Sequence, residues 1–328
     1  MASKKIIFVS IASIVIVCTI SLWLGNSSIN GTLDYDLDYG YYKDGQGHAS
    51  FNISEMVVIW ETRPELEALP ELLIEKIPLD ESIVQQVATS APFKIHANMQ
   101  FYQANWYDTI ELGAYINDGK GYPLLGLFPS GAIRYYTPEW SGQNSFAPIL
   151  PSEAEAKQIA DNFLSEVQKS GAFFPTGEQQ LVFSEVVPGS QSSDAWGNPY
   201  TNYWNVRYNV EYNGIPISGH YGVTVSVGAG GQVVAFNGNW RNLVPSGDNV
   251  NITVTPQQAL ESCPPPVIRG TPVSFISMTV QDVKLVYSCD VGILHDLDSL
   301  SVVYEFSVML TDTNGRQIPL VLYAGATA

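Results

Sequence analysis

Positive charge is what this chain has least of. Its 328 residues carry 15 Lys and Arg against 32 Asp and Glu, a formal net charge of −17. A surface of that sign repels nucleic-acid phosphates and anionic headgroups, which excludes DNA, RNA and peripheral membrane binding as its main activity. Charge of either sign is also scarce, at 14% of residues, while 45% are hydrophobic. That balance excludes a solvating tail and calls for a packed body. Histidine is nearly missing: His48, His96, His220 and His295 are far apart, with no pair at the helical or hairpin spacing of metal ligands. No serine sits in a Gly-x-Ser-x-Gly elbow, no cysteine has a histidine placed to activate it, and no glycine-rich loop opens a helix to cradle phosphate. Acidic pairs are too numerous to nominate two for glycoside hydrolysis. The sequence therefore names no catalytic residue, no metal ligand and no cofactor-binding residue, and the chain is expected not to be an enzyme.

Cysteine is rare too. Cys18 lies in an apolar run and is followed by Thr19, outside any lipobox. Cys263 and Cys289 fall close together in the C-terminal part, where a disulfide is expected if the chain is exported; the alternative is two buried thiols, because spacing alone does not set disulfide geometry. Export is read from the N-terminus, where Lys4 and Lys5 precede Ile6 to Leu24, nineteen residues without a charge. That run is long enough to cross a bilayer as one helix. Basic residues before it place Met1 in the cytoplasm and the acidic remainder outside. No small-x-small cleavage site follows, which favours an uncleaved, single-pass signal-anchor over a cleaved signal peptide. The exported part keeps thirteen of the fifteen basic residues and every acidic one, a net charge near −19. Asn26, Asn30, Asn52 and Asn251 open glycosylation sequons, which matter only in a host that modifies exported proteins.

What the chain has in quantity is alternation. Val206, Tyr208, Val210 and Tyr212 alternate with Arg207, Asn209 and Glu211, Asn213-Gly214 supplies a tight turn, and Tyr221 to Val227 and Val233 to Phe236 continue a β-meander. Ser152 and Glu155 form a capping box ahead of Ala156, Ile159, Ala160, Phe163, Leu164 and Val167, which predicts a helix over about 153–169. Thr255 and Gln258 repeat the signature, and Pro264 to Pro266 stop that helix after about two turns. Leu285-Val286-Tyr287-Ser288 echoes Leu181-Val182-Phe183-Ser184, so two successive helix-then-sheet units are expected, separated by a linker from Pro245 to Asn251. Farther upstream, Glu65 to Lys76 shows helical spacing broken by Pro70, Glu81 to Ala88 reads as a short helix, and four strands follow between Met99 and Tyr136. Asp34, Asp36, Asp38 and Gly40 suggest a calcium loop, but the glycine and bidentate acid of an EF-hand are missing and Leu33 to Tyr41 alternate as a strand. The expected fold class is α+β: an N-terminal transmembrane helix followed by antiparallel-sheet domains. The expected boundaries are a cytoplasmic tip and anchor at 1–28, an α+β domain at 29–148, and two helix-plus-meander units at 149–244 and 252–328.

The run Ser152 to Ala160, the strand ending in an aromatic residue, and Tyr208 to Tyr212 with Asn213-Gly214-Ile215-Pro216-Ile217 and Gly230-Gly231-Gln232-Val233 resemble the PepSY-like module. Tandem modules behind one N-terminal helix resemble the YycH/YycI-type regulatory ectodomains. The resemblance implies a non-catalytic extracytoplasmic module that contacts another protein, a membrane sensor or an exported peptidase, and it carries over no catalytic residues. Trp196, Tyr200, Tyr203 and Trp204 cluster around the loop from Gly189 to Pro199 and form the candidate partner or ligand surface, for stacking on sugars or gripping a peptide. The expectation is thus a membrane-anchored regulatory interaction protein with a protein partner at or outside the membrane. A cell-surface glycan- or peptide-binding protein is the alternative, and an unrecognised hydrolase the third reading.

Overall fold

The computed structural model describes residues 48–50, 53, 56–61, 68–95, 100–104, 113–119, 121–141, 147–170, 177–193, 197–219, 221–263, 267–269, 275–289 and 297–327. In chain order the elements are β1 (His48–Ser50), β2 (Val57–Trp60), β3 (Pro70–Ile74), α1 (Glu81–Thr89), β4 (Gln100–Ala104), β5 (Gly113–Asn117), β6 (Leu124–Leu127), β7 (Ile133–Tyr136), α2 (Glu153–Lys169), β8 (Gln179–Pro188), β9 (Gln191–Ser193) and β10 (Pro199–Thr201). There follow β11 (Trp204–Tyr212), β12 (Ile215–Gly219), β13 (Val223–Val227), β14 (Val233–Gly238), β15 (Leu243–Asn249), α3 (Pro256–Glu261), β16 (Val267–Arg269), β17 (Phe275–Cys289), β18 (Ser301–Asp312) and β19 (Gln317–Gly325).

The helices start where local chemistry tells them to. Asp80 accepts the Ile83 N–H at 2.9 Å and opens α1. Both expected capping boxes form, Ser152 with Glu155 before α2 and Thr255 with Gln258 before α3. At α2 the Ser152 hydroxyl and backbone N–H donate to one Glu155 oxygen at 2.7 and 2.8 Å, and these bonds hold the Glu155 carboxyl below its usual range. Ser152→Ala removes the cap from the longest of the described helices and is expected to cost about 1 kcal/mol, read as a lower urea midpoint with an unchanged slope.

The strands assemble into one large mixed sheet whose main path runs β19-β18-β17-β12-β11-β13-β14-β7-β6-β5-β4. Off that path, β2 pairs with β17 and β8 with β11. All pairs are antiparallel except β12 with β17 and β2 with β17, which are parallel. β8 runs along the whole of β11, from Trp204↔Pro188 to Tyr212↔Gln179. β13 and β12 divide the opposite edge of β11, β13 beside Trp204 to Tyr208 and β12 beside Glu211 and Tyr212.

The helices pack on one face of this sheet. Phe163 of α2 meets Tyr135, Phe236 and Phe93 at centroid distances of 6.5, 5.2 and 6.0 Å. Val84 and Val87 of α1 and Ala259 and Leu260 of α3 join the same continuous core. Parity then fixes the other face: Val206, Tyr208, Val210 and Tyr212 point to the core, and Asn205, Arg207, Asn209 and Glu211 point away. A small second core of Tyr115, Phe128 and Ala132 lies apart from the main one.

Several expectations are corrected by this arrangement. The α+β class with separate antiparallel-sheet domains and two helix-plus-meander repeats gives way to a mostly β molecule built on a single mixed sheet. The echoed segments are not equivalent: Leu181 to Ser184 lie on β8, which among the described residues pairs with β11 alone, whereas Leu285 to Ser288 lie in the interior strand β17. A four-residue match records a strand's apolar pattern and nothing about its neighbours. The spanning helix expected over Ile6 to Leu24 falls outside the described residues. Among the described residues no helix is long and apolar enough to cross a membrane, so the single-pass signal-anchor has no counterpart there. The helical spacing read through Pro70 is a strand instead, β3, which pairs with β15 across most of the expected linker. Leu72 and Ile74 alternate into the core there, a period of two that short windows confuse with a helix. The Asp34 to Asp38 segment, His96, His220 and His295 lie outside the described residues.

Candidate functional site

Among the described residues, the aromatic side chains nominated from the sequence do not form a platform. Trp196 lies outside the described residues. Tyr203 is buried beneath Gly189, where an added Cβ would stand 2.1 Å from the Tyr203 ring. Trp204 packs against the main core and donates its indole N–H to the Pro151 carbonyl at 2.9 Å. Tyr200 is half-buried on the short β9–β10 pair. These rings hold the loop onto the sheet rather than offer themselves to a ligand.

Cys263 and Cys289 are two separate buried thiols, and the expected disulfide is not made. The Cys263 Sγ donates to the Tyr323 carbonyl on β19 at 3.3 Å. Register sets Tyr323 opposite Glu305, and Glu305 opposite Lys284, five residues along β17 from Cys289. With β18 between them, at roughly 4.8 Å per strand and 3.3 Å per residue, the two cysteines stand well beyond the roughly 7 Å Cα separation that a bridge spans. Burial pushes the Cys263 thiol up to about 12, which leaves it protonated and unreactive at neutral pH.

The structure gathers a different set of groups on the face that is free of helices among the described residues. Register aligns Glu185, Arg207, Thr224, Asn237, Arg134, Gly126, Tyr115 and Tyr102 in one row across eight strands. At one end of the row Arg207 is satisfied by Glu185 at 3.1 Å. Arg134, in the middle, has no acidic partner among the described residues, and its Nε is buried without a hydrogen bond. Gly126, directly beside it, leaves room for the Tyr115 ring, since a Cβ there would lie 2.7 Å from Tyr115 Cε1. Tyr115 stacks on Tyr102 at 5.4 Å with an interplanar angle of 13°.

One row farther along lie Gln100, Asn117, Leu124, Tyr136 and Ala235, where β4 to β7 all reach the same end. The Tyr136 hydroxyl donates to Asn237 Oδ1 at 2.7 Å and also meets Arg134, while the ring packs 4.6 Å from Trp140. Trp140 and Tyr122 flank the patch at 37% and 39% exposure. Burial raises the hydroxyls of Tyr102 and Tyr136, and it pushes that of Tyr115 up to about 12 against the lowering influence of Arg134. All are protonated at neutral pH, so the floor around the guanidinium is polar but uncharged.

A second surface is the open side of β8. Among the described residues β8 pairs with β11 alone, and its adjacent Val182 and Phe183 are 39% and 41% exposed. Phe183 shares the helix face with Tyr208, 5.9 Å away, and Lys157 of α2 stands over its ring at 4.8 Å. The register shift between Arg207 and Tyr208 skips Ser184, a bulge that confines the regular ladder to Gln179 to Phe183 on one side of it.

No family model matches the chain, and no curated protein matches it. Among solved structures it is similar to the crystal structure of an uncharacterized protein from Eubacterium rectale ATCC 33656, with 7% identity, a TM-score of 0.39, and coverage of 83% of this chain and 88% of that one. A likeness at that level bears on neither mechanism nor ligand. None of these comparisons bears on the PepSY-like or YycH/YycI-type resemblance.

Two signals in the sequence point to the surfaces that its aromatic count misses. Gly126 interrupts the apolar strand Leu124 to Leu127, and a glycine inside a strand marks a close approach of something else, here the Tyr115 ring. Val182-Phe183 breaks strict alternation, placing apolar side chains on both faces of one strand.

Proposed function

We propose that this is a non-catalytic interaction protein that holds an extended segment of a partner polypeptide along β8 by strand addition. The observation that carries the reading is the open ladder of Gln179 to Phe183, with Val182 and Phe183 exposed on its two faces. An unpaired edge offers a row of backbone donors and acceptors, and alternate pockets beside it select side chains. Soluble proteins usually blunt such an edge with charge or proline; here Pro188 and the Ser184 bulge protect one half and leave the other open. The PepSY-like resemblance supports a sensor or a peptidase as the partner class, and the location outside the cytoplasm rests on the charge pattern around Ile6 to Leu24.

The test is selection of a displayed random-peptide library on the whole chain, followed by hydrogen exchange of the complex. Selected peptides are expected to alternate apolar residues and to protect the β8 amides. Phe183→Asp is expected to weaken binding roughly tenfold or more, the worth of one buried aromatic contact. Failure to enrich peptides, or protection located elsewhere, overturns the reading. A second reading, capture of a small ligand, is favoured by the Arg134 guanidinium, which has no acidic partner among the described residues.

A further inference from the structure

The geometry points to a binding site for a monocarboxylate sugar, of the hexuronic-acid class, at the end of strands β4 to β7 on the helix-free face, with Arg134 as the carboxylate anchor. The site is independent of strand addition on β8 and lies several strands away from it.

Arg134 is the reason to expect an anion. Among the described residues it meets only tyrosines, its Nε is enclosed without a partner, and the nearest arginine on the same row, Arg207, has its own carboxylate at 3.1 Å. The enclosed Nε is out of a ligand's reach, but the side chain as a whole is half-buried, and the terminal nitrogens of a guanidinium are built to hold a carboxylate through two parallel bonds. The net charge of −17 argues against a polyanion, because the long-range field repels every further negative group. One carboxylate on an otherwise neutral ligand fits both the local and the global charge.

The surroundings name the rest of the ligand. Trp140 and Tyr122 are partly exposed close to Tyr136, and such ring surface suits the C–H face of a pyranose. Asn237 accepts from Tyr136 through Oδ1, which leaves its amide nitrogen as the donor for hydroxyls. A peptide C-terminus would also satisfy Arg134, but it has no rigid C–H face to lay on the two rings and no array of hydroxyls for the amide.

Titration of the whole chain with glucuronic acid, followed by tryptophan and tyrosine NMR signals, tests the proposal. Glucuronate is expected to shift Trp140 and Tyr122 and to bind roughly tenfold or more tightly than glucose, which lacks the carboxylate, and than acetate, which lacks the ring. Arg134→Met is expected to abolish that preference while Val182→Asp leaves it unchanged. Should Arg134→Met fail to fold, Tyr122→Ala at the exposed rim is expected to weaken glucuronate at least several-fold. Equal binding of glucose and glucuronate, tighter binding of a short peptide acid than of glucuronate, or no shift at Trp140 overturns the assignment.

Discussion

Gly219→Ala is expected to destabilise the protein by about 3 kcal/mol or more, about twice the effect of Gly214→Ala. Both glycines have positive φ, +81° and +77°, so both lose roughly 1–2 kcal/mol to backbone strain when given a side chain. They differ in what a Cβ would meet. At Gly214, on the tip of the β11–β12 turn, nothing lies within 4 Å. At Gly219 the Cβ would stand 2.5 Å from the Cys289 carbonyl oxygen and 3.1 Å from its carbon. Those are backbone atoms of the partner strand, so no rotamer change relieves the overlap. Gly219↔Cys289 is the last of three register pairs that join β12 to β17 and so connect the two halves of the sheet. Urea denaturation of the two variants side by side measures the difference. Equal midpoints would sink the claim that this close approach holds the halves together.

That junction also marks where the sequence stops being legible. The cap at Ser152 and the apolar face of α2 are local, and the helix begins and ends where they indicate. Asn213-Gly214 does turn the chain tightly, with Asn213 at φ 51°. The return strand, however, stays beside β11 for only two pairs, Tyr212↔Ile215 and Glu211↔Pro216, because Pro216 has no N–H to extend the ladder. It then leaves to run parallel to β17, about seventy residues on, while β13 takes the vacated edge. Period-2 alternation says which face a residue takes and nothing about which distant strand lies beside it. The same limit hid the Arg134 patch. Tyr102, Tyr115, Arg134 and Asn237 each read as ordinary strand residues, and only the register of five strands brings them into one row. The Trp204 cluster misled for the converse reason: proximity in sequence put aromatic rings together without showing that Tyr203 lies under Gly189 and Trp204 against Pro151.

Raising the pH from about 10 to about 12 is expected to unfold the protein cooperatively, the largest effect that solution conditions should have on it. Burial pushes Tyr115, Tyr212 and Tyr287 from the ordinary 10.0 up to about 12, and Glu178 adds to the rise at Tyr212 by accepting its hydroxyl. Burial also takes Cys263 from 9.0 to about 12 and raises Tyr208 and Tyr221 further. Between the unfolded and folded values the native state holds protons that the unfolded chain has released, so stability falls as pH rises through that window and is fully present below it. Each unit is worth about 1.4 kcal/mol, so the enclosed Cys263 thiol alone comes to roughly 4 kcal/mol. Tyr115 and Tyr287 add a share that is discounted for solvent screening, and the sum reaches into the roughly 5–15 kcal/mol that holds a native protein folded. The Tyr212 hydroxyl is the least enclosed of the group, and its share is discounted for solvent screening. Tyrosinate absorbance and near-ultraviolet circular dichroism should therefore change together. Tyr287→Phe supplies a signature that a general alkaline weakening would not produce. It keeps the ring that meets Tyr212 at 6.0 Å and removes both the titrating hydroxyl and its bond to the Pro70 carbonyl. Stability at neutral pH is expected to fall by about 1 kcal/mol, while the alkaline midpoint moves upward. Tyrosines that titrate one by one below pH 12 with the near-ultraviolet signal intact would show that their hydroxyls are open to water and that the sheet does not depend on keeping them protonated.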